Sequence, residues 1–270
     1  MLYERMKSYF RVSGSSKIKT FTKCILSALL AAEVAAYITY SCVKSEEKTE
    51  DIAETEGSYI SQEKMQEIYD PCVRVNLHYT LKKDIDGTEE QIHPFGSGVL
   101  LEDRLTWELY VLTANHVTPS DTYENKSGEK FKVVESNMEV ESLEAKVIKK
   151  DEKADLALLK IEVPAEYDTN NFRPYLGKIA GELNENDYLV GAGYPAGKKN
   201  YFITRAKAIT ENSTFIEMIM VGGNSGGGTY RLKDKQLELA GVVLQTSEIS
   251  SLAQLRELIE GTPLEDDYLQ

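Results

Sequence analysis

Short apolar runs, several of them alternating with polar residues, follow one another from residue 71 to residue 245. Alternation with a period of two places one face of a strand in a core and the other in solvent. Clusters of turn-forming residues separate the runs. The predicted strands cover residues 72–81, 96–101, 109–113, 132–134, 145–148, 156–161, 188–192, 201–209, 214–220, 227–231 and 237–245. Many short strands with no helical stretch between them predict an all-β barrel or sandwich.

Two segments depart from this strand pattern. Residues 163–175, rich in Pro, Asp and Asn, predict a connector between two halves of the body. After Ser251 the apolar residues recur at helical spacing from Leu252 to Ile259, and Gly261 follows. Serine before such a run and glycine after it predict an amphipathic C-terminal helix, so that residues 251–270 form a helix and tail.

The first 43 residues have a different composition from the body. Residues 24–43 are nearly all apolar or small, about the 20-residue length that crosses a bilayer as a helix. Basic residues precede this stretch and acidic residues follow it, so the positive-inside rule places the body outside the cytoplasm. The sequence predicts an N-terminal hydrophobic helix, as a signal or membrane anchor, within residues 1–43. A charged linker over 44–65 and an extracytoplasmic body over 66–250 follow.

Glu33 leaves other interpretations of the N-terminal stretch open, because a carboxylate at the centre of a span costs about 2.5–3.5 kcal/mol on insertion scales. Residues 24–32 would then be the apolar part of a secretory signal, with the small residues 34–36 as its cleavage site. Cys42 is a conceivable site for a lipid anchor. Alternatively, the stretch is a buried amphipathic helix of the body.

Charge and cysteine content limit the partners and cofactors of the body. The net charge of the chain is −13 although its N-terminal segment is basic, and an acidic body repels phosphate backbones. We therefore expect no nucleic-acid partner. Only one of the three cysteines, Cys72, lies in the body, so a disulfide framework there is impossible. No cysteine pair has zinc-finger spacing, and we expect neither a metal nor a cofactor.

A glycine-rich segment around Ser225 is the strongest candidate for chemistry. Residues 221–228 hold five glycines and follow an apolar run, a composition unsuited to a packing element. Glycine permits backbone conformations closed to other residues, so the loop can turn the N–H groups of Gly223 and Ser225 toward one point. Such donors would stabilise an oxyanion formed when Ser225 attacks a carbonyl. The alternative is a flexible or phosphate-binding loop, but no lysine follows at Walker spacing.

A serine nucleophile also needs a base and a group that orients the base. His116 follows a buried strand and two small residues, which would present an imidazole at a barrel rim. Asp155 precedes the most apolar strand of the first half, where an unpaired charge is costly and His116 would be its partner. The other two histidines, His78 and His93, are expected to be structural, and the acidic residues 151 and 152 to be solvated.

Three motifs carry a resemblance to a known family. TANHV, DLALLK and GNSGGG contain His116, Asp155 and Ser225 in that order along the chain. They resemble the motifs of the chymotrypsin-like serine peptidases, most of all those of the bacterial HtrA-type branch. The sequence GSGV at residues 96–99 is similar to the strand that precedes the base in that branch. The resemblance extends over about residues 70–247.

The resemblance implies a fold and a distribution of the catalytic groups. The fold would be two antiparallel six-stranded β-barrels, over about residues 66–162 and 175–248, with the active site in the cleft between them. His116 and Asp155 would come from the first barrel and Ser225 from the second. The residues of the primary substrate pocket would be Ile219, Leu244, Gln245 and Thr246. None of these is acidic, so small or medium apolar side chains are the expected preference.

Several positions depart from the family pattern. Gly228 replaces a proline that is usual after the serine motif. Asn224 stands where trypsin-like digestive enzymes carry an aspartate that pairs with a freshly cut N-terminus, so activation by that route is not expected. The 23 residues after Ser247 are too few for the PDZ domain that HtrA-type proteins usually carry.

Three functional hypotheses follow from the sequence. The first is an exported or membrane-tethered serine endopeptidase that acts on protein or peptide substrates. The second is a binding module that retains the protease fold for peptide recognition. The third is a conditionally inactive protease, in which the segment 195–199 and the Ser225 loop leave the oxyanion hole unformed until an activator binds.

Overall fold

The structure, a computed structural model, describes residues 60–82, 88–125, 128–218, 220–245 and 247–269. The predicted hydrophobic helix of residues 1–43 and most of the linker lie outside these residues. No helix in the described part is long and apolar enough to cross a membrane.

Eight strands form the first half of the body. Their bounds are β1 Cys72–Lys82, β2 Glu89–Ile92, β3 Phe95–Glu102, β4 Leu109–Ala114, β5 Thr122–Glu124, β6 Lys130–Val140, β7 Leu143–Asp151 and β8 Leu156–Ile161. All their pairings are antiparallel. Strand β1 pairs with β3 on one side and with β6 on the other, which closes six strands into a barrel in the order β1-β3-β4-β8-β7-β6. Strands β2 and β5 lengthen its sheet.

The second half closes in the same way. Its strands are β9 Lys178–Ile179, β10 Tyr188–Gly193, β11 Asn200–Ile209, β12 Ser213–Ile216, β13 Gly228–Lys233, β14 Gln236–Gln245 and β15 Glu248–Ser250. The pairing of β13 with β14 closes the order β13-β10-β11-β12-β15-β14. The short strand β9 adds to β14 in parallel. The predicted fold of two six-stranded antiparallel barrels is confirmed.

The sequence pattern explains which strands are buried on one face and which on both. Along β1 the alternate residues from Val73 to Leu81 are buried and those between them are partly exposed. Strand β8 is apolar without alternation, and four of its six residues are completely buried. A helix packs against β8, so its second face is covered as well. One continuous apolar core joins residues of both barrels.

The described part of the body also has three α-helices: α1 Gln62–Tyr69, α2 Leu252–Ile259 and α3 Glu265–Tyr268. Helix α2 confirms the predicted C-terminal helix, and its buried residues Leu255, Leu258 and Ile259 form the apolar face. Helix α1 was not predicted. Only one of its residues, Ile68, is buried, so its apolar face is too narrow to show as a helical pattern in a charged segment.

Two predicted strands have different ends in the structure. Strand β6 runs over Lys130–Val140 instead of 132–134, because β1 offers it partners along almost its whole length. The strand predicted over 214–220 ends at Ile216, because its partner β15 has only three residues and pairs only with Ser213–Phe215. Glu217, Met218 and Met220 therefore lie outside the strand, between it and Ser225.

Candidate active site

Strand pairing brings His116 and Asp155 together. Strand β4 ends at Ala114, which pairs with Leu156 at the start of β8. His116 lies in the 3-10 turn just after β4, and Asp155 lies just before β8. The amide of Asn115 donates a hydrogen bond to the backbone carbonyl of Asp155 at 2.9 Å. Two residues 39 positions apart are thus neighbours because their strands are in register.

The carboxylate of Asp155 binds His116 at two points. Its Oδ2 lies 2.7 Å from His116 Nδ1, and its Oδ1 accepts a 2.9 Å hydrogen bond from the His116 backbone amide. A proton on Nδ1 that is held by a carboxylate leaves Nε2 as the acceptor nitrogen. The side chains are 47% and 27% exposed, so the imidazole remains accessible while the carboxylate is more shielded. This arrangement suits a general base.

The backbone of Asp155 is in the left-handed region, with φ of 54°. Among non-glycine residues, Asp and Asn adopt this conformation most readily. The hydrogen bond from the Asn115 amide and the two contacts with His116 hold the residue there. The turn therefore positions the carboxylate just before the start of β8 rather than within the strand.

The backbone amides around Ser225 differ in their hydrogen bonding, and among the described residues those of the exposed Val221 and Gly222 have no protein acceptor. The amides of Asn224, Gly226 and Gly227 donate to the carbonyls of Val221, Val243 and Asn224, at 3.2, 2.7 and 2.8 Å. Among the described residues, those of Gly223 and Ser225 donate to no protein group. These are the two amides that the sequence predicts to form an oxyanion hole.

A second contact fixes the peptide that carries the Gly223 amide. The carbonyl of Gly222 accepts a 3.1 Å hydrogen bond from the amide of Ala196, in the 3-10 turn Pro195–Gly197. In a trans peptide the C=O and the following N–H point in opposite directions, so this bond turns the Gly223 amide away from the 195–197 segment. Gly223 has φ of 98°, and a Cβ there would lie 2.2 Å from the carbonyl oxygen of Tyr194. Only glycine fits this position.

Asn224, directly before the serine, is 4% exposed. Its Nδ2 lies 3.8 Å from Met220 Sδ, and its Oδ1 has no hydrogen-bond partner among the described residues. The asparagine is thus an uncharged side chain in a site that lacks a donor for its oxygen. A carboxylate here would be buried without a partner, which is costly.

His116, Asp155 and Ser225 line one cleft of about 660 Å³. Leu244 and Gln245, two of the four predicted pocket residues, line it as well, whereas Ile219 and Thr246 lie outside the described residues. Sequence reasoning did not assign six other residues to the wall: Glu152, Lys153, Met220, Val221, Gly222 and Val243. The position of Glu152 and Lys153 shortly before Asp155 was the available signal, because side chains near a catalytic residue can face the same cleft.

The hydrogen bonds of Ser225 bear on its role in the cleft. Among the described residues the Ser225 hydroxyl makes no hydrogen bond, and its own carbonyl accepts one from the Ser97 amide at 2.7 Å. Hydrogen bonds between a nucleophile and its base often tighten only when substrate binds.

His78 and His93 are not part of the cleft, and their Nδ1 atoms lie 2.9 Å from each other.

Comparison with known proteins gives one family. The model of a family described as a trypsin-like peptidase domain matches residues 96–239. This range begins one residue before Ser97 and includes His116, Asp155 and Ser225. No curated protein matches the chain.

Proposed function

This chain belongs to the trypsin-like peptidase domain family, and we propose that it is a serine endopeptidase with His116, Asp155 and Ser225 as its catalytic triad. A peptidase domain of this family has the chymotrypsin-like fold found here and acts on protein substrates. The catalytic residues, the subfamily and the substrate preference are the parts that we add to the family assignment.

The proposed reaction follows from the roles of the three side chains. His116 Nε2 takes the proton of the Ser225 hydroxyl as its Oγ forms a bond to the carbonyl carbon of the peptide. The carbonyl oxygen becomes an oxyanion that accepts hydrogen bonds from the Gly223 and Ser225 amides. The imidazolium then protonates the leaving amine, the C–N bond breaks and an acyl-enzyme remains. Water, deprotonated by His116, hydrolyses the ester and restores Ser225.

The contact between Asp155 and His116 is the observation that supports this proposal most directly. The carboxylate both fixes the Nδ1–H tautomer and holds the backbone of the histidine, in the cleft that Ser225 also lines. A carboxylate in that position stabilises the imidazolium that forms during the reaction. A protein that only bound peptides would have no evident use for this arrangement.

Substrate preference is proposed from the walls of the cleft. Met220, Val221, Val243 and Leu244 supply apolar surface beside Ser225, and Gln245 supplies a neutral polar group. A substrate side chain that enters between them would be apolar and of small or medium size. A preference for Lys or Arg is disfavoured, because Met220, Val221, Val243, Leu244 and Gln245 carry no charge, and Glu152 belongs to the opposite, first-barrel side of the cleft next to Lys153.

The subfamily and location are also proposals. The motif resemblance supports an HtrA-type peptidase domain. The charge asymmetry around residues 24–43 supports a body that is exported and either tethered to the membrane or released. The domain limits remain predictions: a leader or anchor over 1–43, a linker over 44–65 and the peptidase body over 66–250, with its helical tail after it.

The test compares the wild type with Ser225→Ala, using Ser136→Ala as a control at an exposed position outside the cleft. We expect a fluorophosphonate probe to label the wild type and the control, and both to cleave unfolded casein. Ser225→Ala should lose the label and on the order of 10⁶ in kcat, the loss measured for removal of such a nucleophile.

Each of the other possible outcomes contradicts a different part of the endopeptidase proposal. A wild type that is neither labelled nor active contradicts the endopeptidase proposal, and peptide binding without labelling would then favour the binding module. Activity that appears only after a peptide or partner is added would favour the conditionally inactive protease. Labelling of Ser225→Ala at the wild-type level would mean that another residue is the nucleophile.

A further inference from the structure

Ser97 makes four hydrogen bonds, three of which connect the first barrel to the second near the Ser225 loop. It lies in β3 of the first barrel and is completely buried. Its amide donates to the Ser225 carbonyl at 2.7 Å, and its hydroxyl donates to the Gly223 carbonyl at 2.6 Å. The hydroxyl also accepts from the Tyr194 amide at 2.8 Å, while the Ser97 carbonyl accepts from the Thr113 hydroxyl at 2.7 Å.

The partners of Ser97 are the residues on which the proposed oxyanion hole depends. Its two bonds to the loop end on the carbonyls of Gly223 and Ser225, the residues whose amides are unpaired. Fixing these carbonyls restricts the rotation of the peptide units between them, and so the direction of the Ser225 amide. Tyr194 directly precedes the turn that holds the Gly222 carbonyl, so the hydroxyl also links the two segments that orient the Gly223 amide.

The backbone is closely packed around Ser97. A Cβ built on Gly193 would lie 3.2 Å from Ser97 Oγ and 2.4 Å from Asn224 Oδ1, and one built on Gly226 would lie 1.9 Å from the Ser97 carbonyl oxygen. Glycine is required at both positions because the backbone approaches Ser97 so closely. Removal of the hydroxyl would leave the Tyr194 amide and the Gly223 carbonyl without this partner, and the loop would move to satisfy them.

We propose that Ser97 is a positioning residue for catalysis, whose hydroxyl holds the Gly223–Ser225 segment in the conformation that binds the oxyanion. This inference rests on the proposed endopeptidase function. Ser97 does not touch the substrate; it acts through the direction of two amides. Donors of this kind contribute in the transition state and little to substrate binding, and misplacement of a reacting group by about 1 Å can cost about 100-fold in rate.

The experiment compares full-length wild type, Ser97→Ala and Ser251→Ala. Ser251 is a matched control, because it is also a buried serine whose hydroxyl accepts a backbone amide, but it lies at the start of α2. Active sites are counted with a fluorophosphonate titrant, and kcat and KM are measured on a peptide substrate. The inhibition constant of a peptidyl aldehyde is also measured, because its hemiacetal oxygen occupies the oxyanion hole.

For Ser97→Ala we expect kcat to fall about 10- to 100-fold with KM within about twofold of the wild type. Aldehyde binding should weaken by the same factor as kcat, and the midpoints of the pH profile should not move. Ser251→Ala should keep wild-type kcat and aldehyde affinity while melting at a lower temperature. A purely structural role of Ser97 would lower the melting temperature without this separation of kcat from KM.

Two results overturn the inference alone: an active wild type with unchanged kcat in Ser97→Ala, or a loss of kcat without loss of aldehyde affinity. An inactive, unlabelled wild type overturns the endopeptidase proposal and this inference together. If Ser97→Ala does not fold, Ser97→Cys fills a similar space with a weaker donor and acceptor. Its kcat should then lie below that of the wild type, again with unchanged KM, and a wild-type kcat would overturn the inference.

Discussion

At the scale of single residues, the site depends on backbone conformations that few residue types adopt. Asp155 holds His116 from a left-handed turn, and Gly223 and Gly226 have φ of 98° and 88° beside Ser225. At these positions the proposed role of the side chain or amide depends on the conformation of the backbone. The carboxylate that binds His116 must come from a residue that tolerates positive φ. The loop that carries the Gly223 and Ser225 amides needs glycine at positions 223 and 226, where the backbone lies too close to its neighbours for a Cβ.

Gly223→Ala tests the backbone requirement at the proposed oxyanion hole. The added methyl group would lie 2.2 Å from the Tyr194 carbonyl oxygen in a conformation that alanine disfavours, so the peptide that bears the amide must move. We expect kcat to fall about 100-fold or more, the cost of one lost oxyanion donor. Steady-state kinetics per labelled active site provide the measurement.

The control for this variant is Gly181→Ala, where a built Cβ has no neighbour within 4 Å and φ is not positive. Its kcat should match that of the wild type. Wild-type kcat in Gly223→Ala would mean that this amide does not stabilise the oxyanion.

At the scale of elements, the pairing of two strands determines where the proposed catalytic residues lie. The pairing of Ala114 with Leu156 brings the ends of β4 and β8 together, and these ends carry His116 and Asp155. On the other side of β8, helix α2 covers the apolar residues that would otherwise face solvent. The helix thus supports the strand that presents Asp155, although it takes no part in the cleft.

The cap of α2 gives a prediction about stability. Ser251 Oγ accepts the Gln254 amide at 3.3 Å, and Gln254 Oε1 accepts the Ser251 amide at 3.2 Å, which together form a capping box. Ser251→Ala removes the first bond and leaves the Gln254 amide unpaired. We expect the free energy of unfolding to fall by about 1 kcal/mol, measured by urea denaturation.

The exposed Ser136, in β6, serves as the reference position for this change. Ser136→Ala should alter the free energy of unfolding by less than about 0.5 kcal/mol. Equal effects of the two substitutions would show that the capping box does not stabilise the helix.

At the scale of the whole molecule, one apolar cluster includes residues of both barrels, the second barrel has another of its own, and polar contacts join the barrels near the cleft. Glu141, between β6 and β7, accepts hydrogen bonds from the Arg74 amide at 2.8 Å and from the Tyr194 hydroxyl at 2.9 Å. Tyr194 belongs to the second barrel and is also bound to Ser97. Burial raises the pKa of Tyr194, and the adjacent Glu141 carboxylate raises it further, so the phenol stays a hydrogen-bond donor at neutral pH.

Cys72 reports on the integrity of this core. It is 2% exposed, and burial raises the pKa of its thiol from an ordinary value of 9.0 to about 12. In a Cys24→Ser, Cys42→Ser background we expect Ellman's reagent at pH 8 to react with Cys72 only as fast as the body unfolds. Immediate reaction in the absence of denaturant would contradict its burial.

The same shift predicts how pH changes stability. The thiol is protonated in both the folded and the unfolded state below pH 9, so it adds no pH dependence there. Between about pH 9 and pH 12 only the unfolded thiol ionises, so stability falls with rising pH, by at most about 1.4 kcal/mol per unit. Buried tyrosines contribute in the same range, and comparison with a Cys72→Ala variant of that background isolates the thiol. Identical pH dependence of the two proteins would contradict this prediction.

The sequence by itself determined the fold class and placed the candidate residues, because both depend on local patterns. Alternation in β1 and the unbroken apolar run of β8 predict strands whatever surrounds them. Helix α2 is specified by its serine cap, its apolar spacing and Gly261. The motifs around His116, Asp155 and Ser225 indicate the chemistry because each is contiguous in the chain. Helix α1 and the full length of β6 were not predictable in this way, since their residues are mostly polar and tertiary partners stabilise them.

Only the tertiary structure decided how these residues meet. The two-point contact of Asp155 with His116 depends on the register of β4 and β8, which the sequence does not encode locally. The hydrogen bonds of Ser97 to the Ser225 loop join residues about 130 positions apart. The same loop carries the unpaired amides of Gly223 and Ser225. Hydrogen bonds between distant segments form only when both barrels are folded and packed. The GSGV motif therefore does not show by itself that Ser97 contacts the Ser225 loop, which is far away in the chain.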